Sequence, residues 1–147
     1  MDGERHYHTN LNRVGSLDGS LFVSRFDYYF RAGIERSLRR IPNSYVVAHA
    51  SMIRYRRSID FLNRFRLHTR LIWYDERSLY FEQRFITDSD NFVRAVALCK
   101  NTCVNVDVIK LMGELGFERP ECPPVLQSFI RANEQSSEAL RQELHQN

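Results

Sequence analysis

A periodic apolar pattern follows the turn-and-cap cluster Ser16–Ser20 and runs to Arg40, which predicts a long amphipathic helix. Ser16 or Asp18 can cap its start, because short polar side chains accept hydrogen bonds from the unpaired N–H groups of a first turn. Pro42 ends the pattern, since proline cannot continue a helix. One broad and unusually aromatic face is expected to be buried. Its members are Leu21, Phe22, Phe26, Tyr29, Phe30, Gly33, Ile34, Ser37 and Leu38, with Arg25, Arg31, Glu35, Arg36 and Arg39 largely on the other side.

Four stretches after this helix have the pattern of β-strands. The clearest is Arg64–Trp73, in which apolar residues and Thr69 alternate with arginine and histidine, as in a half-buried antiparallel strand. Its apolar face is predicted to hold Phe65, Leu67, Thr69, Leu71 and Trp73. The other three strands are predicted at Ser44–Arg56, Leu79–Ile86 and Phe92–Cys99, with polar turns at Tyr74–Ser78 and Thr87–Asn91.

The last third of the chain returns to helical periodicity. Val106–Leu115 and Val125–Leu144 are predicted helices, separated by a loop that contains three prolines. One helix, then a run of strands, then helices favours an α+β fold with an antiparallel sheet over a doubly wound one. We expect residues 1–15 to be a polar lead-in and residues 16–147 to form a single domain.

Charge is distributed unevenly between the two halves of the sequence. Residues 1–70 hold 13 arginines and 6 acids, a balance of +7, whereas residues 71–147 have a balance of −4. The basic half carries no nucleic-acid-binding motif, so nucleic acid is the weakest of the candidate partners. No apolar run approaches the ~20 residues that span a bilayer. The polar start does not have the pattern of a signal or transit peptide, which makes a cytoplasmic location the default expectation.

Cys99, Cys103 and Cys122 are too few and too uneven for a disulfide framework. A closed zinc site needs four ligands, and no second Cys or His pair completes one beside Cys99 and Cys103. We therefore expect buried free thiols, no metal and no cofactor.

Several segments in one order resemble the thioesterase superfamily member six family, within the hotdog-fold acyl-CoA thioesterases. The resemblance runs from about Asn10 to about Arg141. Its clearest segments are Arg54–Ser58, Phe65–Leu71, Leu79–Glu82 and Leu126–Ile130. It implies a hotdog fold, in which an antiparallel sheet wraps around the long helix and further helices follow at the C-terminal end.

The motif that usually precedes the central helix of this family is altered here. Its two acidic positions are Asn10 and Asn12. Its His-Met-Asn-Asn positions are occupied by Ser16, Leu17, Asp18 and Gly19. Family members also tend to carry an apolar N-terminal segment linked with membrane or secretory location. That segment is absent from this sequence, so a cytoplasmic location is expected, and the membrane-associated or secretory location that the resemblance implies is the alternative.

Thioester hydrolysis needs a base for the attacking water and donors for the oxyanion. Backbone N–H groups near Gly19 and Ser20 are candidate donors and ligand contacts at the start of the helix. Asp18 is the candidate base, with helix capping as the alternative. Asp27, which matches an aspartate of the family helix, is a second candidate, with an ion pair to Arg31 as the alternative. Ser16 could contact a ligand or only form a turn.

Arg54 and Arg56 are expected on one strand face, where they could bind the phosphates of coenzyme A. A solvated or dimer-contact edge is the alternative. The resemblance implies an acyl-CoA or fatty-acyl ligand, and a homodimer through edge-to-edge strand pairing. We expect an acyl-thioester-binding protein with weak or lost hydrolysis; the alternative is a non-catalytic lipid-binding or protein-interaction domain.

Overall fold

A computed structural model describes residues 5–11, 17–60 and 63–146. The order of elements is α+β: a strand, two helices, four strands and two helices. The five strands are β1 (His6–Leu11), β2 (Tyr45–Tyr55), β3 (Phe65–Tyr74), β4 (Ser78–Thr87) and β5 (Val93–Val104). The four helices are α1 (Leu17–Arg31), α2 (Ile34–Arg39), α3 (Val108–Glu114) and α4 (Pro124–Gln146).

The strands form one antiparallel sheet in the order β1-β3-β4-β5-β2. Strands β3, β4 and β5 therefore lie in the centre, while β1 and β2 form the two edges. Hairpin turns join the central strands, and Asp75 fixes one of them by accepting hydrogen bonds from the backbone N–H groups of Arg77 and Ser78. Short connections of this kind are expected between neighbouring antiparallel strands.

Two hydrophobic clusters cover the two faces of the sheet. The larger lies on the inner face, where alternate residues of the central strands, such as Leu67, Phe81 and Ala97, pack with Tyr28 of α1 and Met112 of α3. The smaller lies on the outer face, where Leu126 and Phe129 at the start of α4 pack with Ile72, Tyr80 and Leu98. None of the described helices is long and apolar enough to cross a bilayer.

The predicted long helix is divided in two. Gly33 has φ of +80°, a left-handed conformation that suits glycine, and it separates α1 from α2. Strand β1 was not predicted. It lies within residues 1–15, and its one aliphatic residue is Leu11 at its end, so its apolar alternation is weak. It nevertheless pairs with β3 from His6 opposite Arg70 to Leu11 opposite Phe65.

The predicted buried face of α1 was partly wrong. Phe22, Phe26 and Phe30 are 55–65% exposed, whereas Arg25, assigned to the solvent side, is only 8% exposed. The buried face instead runs through Leu21, Ser24, Arg25, Tyr28 and Ala32. The hydrophobic pattern could not indicate this, because two of its inward positions are polar.

A bulge in β3 changes the predicted face of Trp73. The pairing of β3 with β4 shifts between Leu71 and Trp73. As a result Leu71 and Tyr74 belong to the inner cluster, while Ile72 and Trp73 contact the outer one. The assignment of Trp73 to the same face as Leu71 was therefore wrong.

Candidate active site

A buried polar cluster lies between α1 and the middle of the sheet. Gln83, in the centre of β4, is fully buried. Its Nε2 donates to the backbone carbonyl of Leu21 at 3.0 Å and to Thr69 Oγ1 at 3.3 Å. Thr69 also shares a hydrogen bond with Ser24. Because buried polar groups are costly when unsatisfied, this network fixes α1 on the sheet.

Arg25 brings a positive charge into this cluster. Its Nη1 donates to Gln83 Oε1 at 3.0 Å and contacts Cys99 Sγ at 3.3 Å. Neither partner is a carboxylate, and no described carboxylate forms an ion pair with Arg25. A guanidinium cannot lose its proton at ordinary pH. The structure therefore places a lasting positive charge beneath α1.

Tyr29 and Asn101 form a second polar pair beside Arg25. Asn101 Nδ2 donates to the Tyr29 hydroxyl at 2.6 Å. Burial, followed by the nearby Cys103, raises the pKa of Tyr29, while Arg25 and the Asn101 hydrogen bond act in the opposite direction. The phenol stays protonated, so its O–H can donate to a ligand while its oxygen accepts from Asn101.

These residues face a cleft between α1 and edge strand β2. One cavity of about 260 Å³ is lined by Phe22, Phe26, Leu38 and Val46, and a second of about 340 Å³ is lined by Leu21, His49 and Ser51. Arg25, Ala48 and Asn101 line both cavities. The cleft thus has a mostly apolar part under the exposed phenyl rings of α1 and a polar part at Arg25.

The acids near α1 have distinct surroundings. Asp27 accepts from Thr9 Oγ1 at 3.1 Å and from Arg31 Nε at 3.1 Å, which confirms the ion pair given as the alternative to a catalytic role. Asp18 lies in α1, but its side chain is outside the described residues. Glu35 lines the apolar cavity and pairs with Arg39. It is the only carboxylate among the described residues that line the cleft.

The predicted ligand contacts at the start of the helix are described only in part. Gly19 is exposed and Ser20 is buried in the first turns of α1. Ser16 and Asn12 lie outside the described residues. Only the backbone of Asn10 is described; it lies in β1 and pairs with Arg66 of β3.

Arg54 and Arg56 do share one side of the sheet, but it is the outer side. With Arg84, Met52 and Leu98 they line a groove of about 750 Å³ beside the start of α4. Strands β2 and β5 therefore lie between these arginines and the cleft at α1.

The remaining metal-ligating side chains do not converge. No group of three His, Cys, Asp or Glu side chains in the described ranges is placed to hold a metal ion. Cys99, Cys103 and Cys122 form no disulfide, and burial, with Asp75 nearby, raises the pKa of Cys103 to about 12. His49 contacts Thr102, and His68 contacts His6 and His8.

A helix packed on the inner face of a five-stranded antiparallel sheet, with a cleft beside the edge strand, defines the hotdog-fold class of thioesterase-like proteins. The chain belongs to the thioesterase-like superfamily, whose family model matches residues 17–130. This confirms the fold and the family resemblance identified from the sequence.

Similar proteins agree with this placement. Protein THEM6 of Drosophila melanogaster is 38% identical over 125 residues, covering 84% of this chain and 64% of the relative. The chain spans 59–64% of the length of the curated relatives it matches. YbaW, a probable thioesterase from Escherichia coli, superposes with a TM-score of 0.56 at 19% identity, over 75% of this chain and 92% of YbaW. SAV2348 from Staphylococcus aureus, solved in complex with CoA, gives 0.53 at 9% identity, over 88% of this chain and 83% of its own. Both structural likenesses concern the fold.

The sequence did not indicate a site role for Arg25, Tyr29, Glu35 and Asn101, which line the cleft, or for Gln83, which contacts Arg25 beneath it. Gln83 and Asn101 occupy inward positions of strands otherwise filled by apolar or small residues. A polar residue at an inward strand position was the available signal. No sequence signal distinguished Arg25 from the exposed arginines of the same helix.

Proposed function

We propose that this chain binds an acyl chain or acyl-CoA in the cleft between α1 and β2, and that it hydrolyses the thioester weakly or not at all. The observation that supports this most strongly is the cleft itself. It joins an apolar cavity under Phe22 and Phe26 to the polar group of Arg25 and Asn101, in a chain of the thioesterase-like superfamily. Ligand pockets typically combine apolar walls with a few placed polar groups.

The proposal of weak or lost hydrolysis rests on the carboxylates. Asp27 is held by Thr9 and Arg31, and Glu35 is paired with Arg39. Asp18 stays the candidate base, and Gly19 and Ser20 the candidate oxyanion donors. A positioned base contributes about 10²–10⁴ in rate, so a protein without one retains only the effect of its donors. A non-catalytic acyl carrier is the second candidate, favoured by these paired acids.

We further propose a homodimer formed through β2. Among the described strands β2 pairs only with β5, so its other edge has no strand partner. Its 11 residues include exposed Tyr45, Val47 and Tyr55, next to the exposed phenyl rings of α1. A long apolar edge strand is an aggregation site unless another chain covers it.

Coenzyme A is the proposed carrier of the acyl group. SAV2348 was solved in complex with CoA, which supports this choice by analogy of fold. Arg54 and Arg56 are the proposed phosphate contacts. Because they lie on the outer face and the β2 edge is the proposed dimer contact, the coenzyme would have to reach them around one end of β2. Free CoA titrated at increasing salt should bind more weakly to Arg54→Gln/Arg56→Gln than to Arg36→Gln, an exposed control on α2. Equal affinity for the two would remove these arginines from the site.

Thermal unfolding with dodecanoyl-CoA, decanoate and free CoA tests acyl binding. Each methylene buried from the ligand is worth about 0.8 kcal/mol, so acylated ligands should raise the melting temperature more than CoA does. Equal shifts, or no shift with any chain length, would contradict the proposal.

A cytoplasmic location stays a prediction, which fractionation of the full-length protein would test.

A further inference from the structure

Arg25 is a buried cation without a described anionic partner. The side chain is more than nine-tenths buried, yet its described hydrogen-bonding partners are an amide oxygen and a thiol. Removing a guanidinium from water is costly unless an opposite charge is placed beside it. Glu35 lines the same cavity but pairs with Arg39 and forms no ion pair with Arg25.

The position of Arg25 leaves room for an anion from outside the chain. It lines both cavities of the cleft, at their junction with Ala48 and Asn101. The Tyr29 hydroxyl, which accepts from Asn101 at 2.6 Å, lines the apolar cavity and can offer its own proton there. A planar guanidinium can hold the two oxygens of a carboxylate at once.

The apolar part of the cleft constrains the rest of the ligand. Most of the wall of the 260 Å³ cavity is apolar. Its apolar lining includes Phe22, Phe26, Leu38 and Val46. A small hydrophilic anion such as phosphate would leave this wall uncovered, whereas an alkyl chain would cover it.

We propose that Arg25 is the anion-binding residue of the cleft and that its ligand is an apolar chain ending in a carboxylate. This inference rests on the proposed acyl-binding function and names the chemical class that the cleft selects. The carboxylate can come from a free fatty acid, or from the far end of an acyl group whose other end is a thioester. In either case the carboxylate of the ligand supplies a negative charge beside Arg25, where the described residues place none.

Calorimetric titration of the full chain with matched ligands tests the inference. Decanoate and decanol have the same chain length and differ mainly in charge. We expect decanoate to bind about ten- to a hundredfold more tightly, the range of a charged hydrogen-bonded contact. Arg25→Met should remove this preference, whereas Arg36→Met, at an exposed arginine of α2, should keep it. A second pair, decanoyl-CoA and the CoA thioester of a ten-carbon dicarboxylic acid, distinguishes the two sources of the carboxylate.

A preference for either carboxylate ligand that Arg25→Met abolishes supports the inference. If Arg25→Met fails to fold, Tyr29→Phe should weaken decanoate binding severalfold and leave decanol binding unchanged. Equal binding of acid and alcohol by the wild type, or a preference that survives both substitutions, would overturn it. Tight but charge-independent binding would remove only the role of Arg25, whereas no binding by any of the four ligands would remove the acyl-binding function as well.

Discussion

Gln83 Nε2 donates a 3.0 Å hydrogen bond to the backbone carbonyl of Leu21, which joins the centre of the sheet to helix α1. The same side chain accepts from Arg25 through Oε1. Gln83 is therefore the residue through which the sheet positions the polar end of the cleft.

Gln83→Met should destabilise the fold. Methionine keeps the length of the side chain but leaves the Arg25 guanidinium without its oxygen acceptor, so we expect a loss of roughly 2–4 kcal/mol in the free energy of unfolding. Urea denaturation measures this loss. Gln135→Met, at an exposed position of α4, should change stability by less than about 0.5 kcal/mol. Equal stability of the two variants would show that the buried network contributes little.

The histidine cluster on the outer face should make stability depend on pH. Burial, then His8, His6 and nearby arginines, lowers the pKa of His68 to about 4 from its usual 6.5. Between pH 4 and 6.5, His68 therefore binds more protons in the unfolded chain than in the folded chain. The contribution of neutral His68 to the free energy of unfolding is complete above pH 6.5 and is lost as the pH falls toward 4. The groups around His68 are His6, His8, Arg70 and Arg84.

The test compares melting temperatures of wild type and His68→Gln from pH 7.5 to 4. The wild type should lose more stability over this range, because other acid-labile groups are common to both proteins. Parallel curves for the two would show that His68 titrates normally.

Val47→Lys should separate the proposed dimer. A lysine on the exposed edge of β2 opposes strand pairing with a second chain. Light scattering at micromolar concentration should give the dimer mass for the wild type and the monomer mass for Val47→Lys. Ile109→Lys, at an exposed apolar position of α3, should remain dimeric. A monomeric wild type would exclude the dimer and any site shared between two chains.

Hydrolysis of acyl-CoA should be slow, and whatever rate exists should depend on Asp18. Asp18→Asn keeps the ability to cap a helix but removes the carboxylate, so stability should change little while thiol release falls about 10²–10⁴-fold or to background. Asp27→Asn should leave the rate unchanged and cost at most about 1 kcal/mol of stability, as exposed ion pairs do. A fast enzyme that lost activity only in Asp27→Asn would reverse these roles.

The sequence was sufficient for the elements whose pattern is set by burial on one face. Strand β3 was predictable because Phe65, Leu67 and Thr69 alternate with arginine and histidine. Strand β1 was not, because its inward residues Tyr7 and Thr9 alternate with equally polar neighbours. The bulge after Leu71 was also hidden, since it depends on how β4 pairs with β3.

The site was harder to predict than the fold. Its polar residues come from α1, β3, β4 and β5, and only the register of the sheet brings Thr69, Gln83 and Asn101 beneath Arg25. Local periodicity places a charged residue of a helix on the solvent side. Arg25 departs from that rule because its guanidinium donates hydrogen bonds to the buried Gln83 amide oxygen and Cys99 sulfur.

Acyl-chain binding in the cleft between α1 and β2 is the central claim, and Ala48→Phe tests it most directly. Ala48 is an exposed residue that lines both cavities, so a phenyl ring there should fill the cleft without disturbing the core. Met52→Phe places the same ring on the outer face of the same strand. Calorimetric titration with decanoate and decanoyl-CoA should show binding to the wild type and to Met52→Phe, and at least tenfold weaker binding to Ala48→Phe. Undiminished binding to Ala48→Phe, with loss in Met52→Phe, would place the ligand in the outer groove and contradict the account.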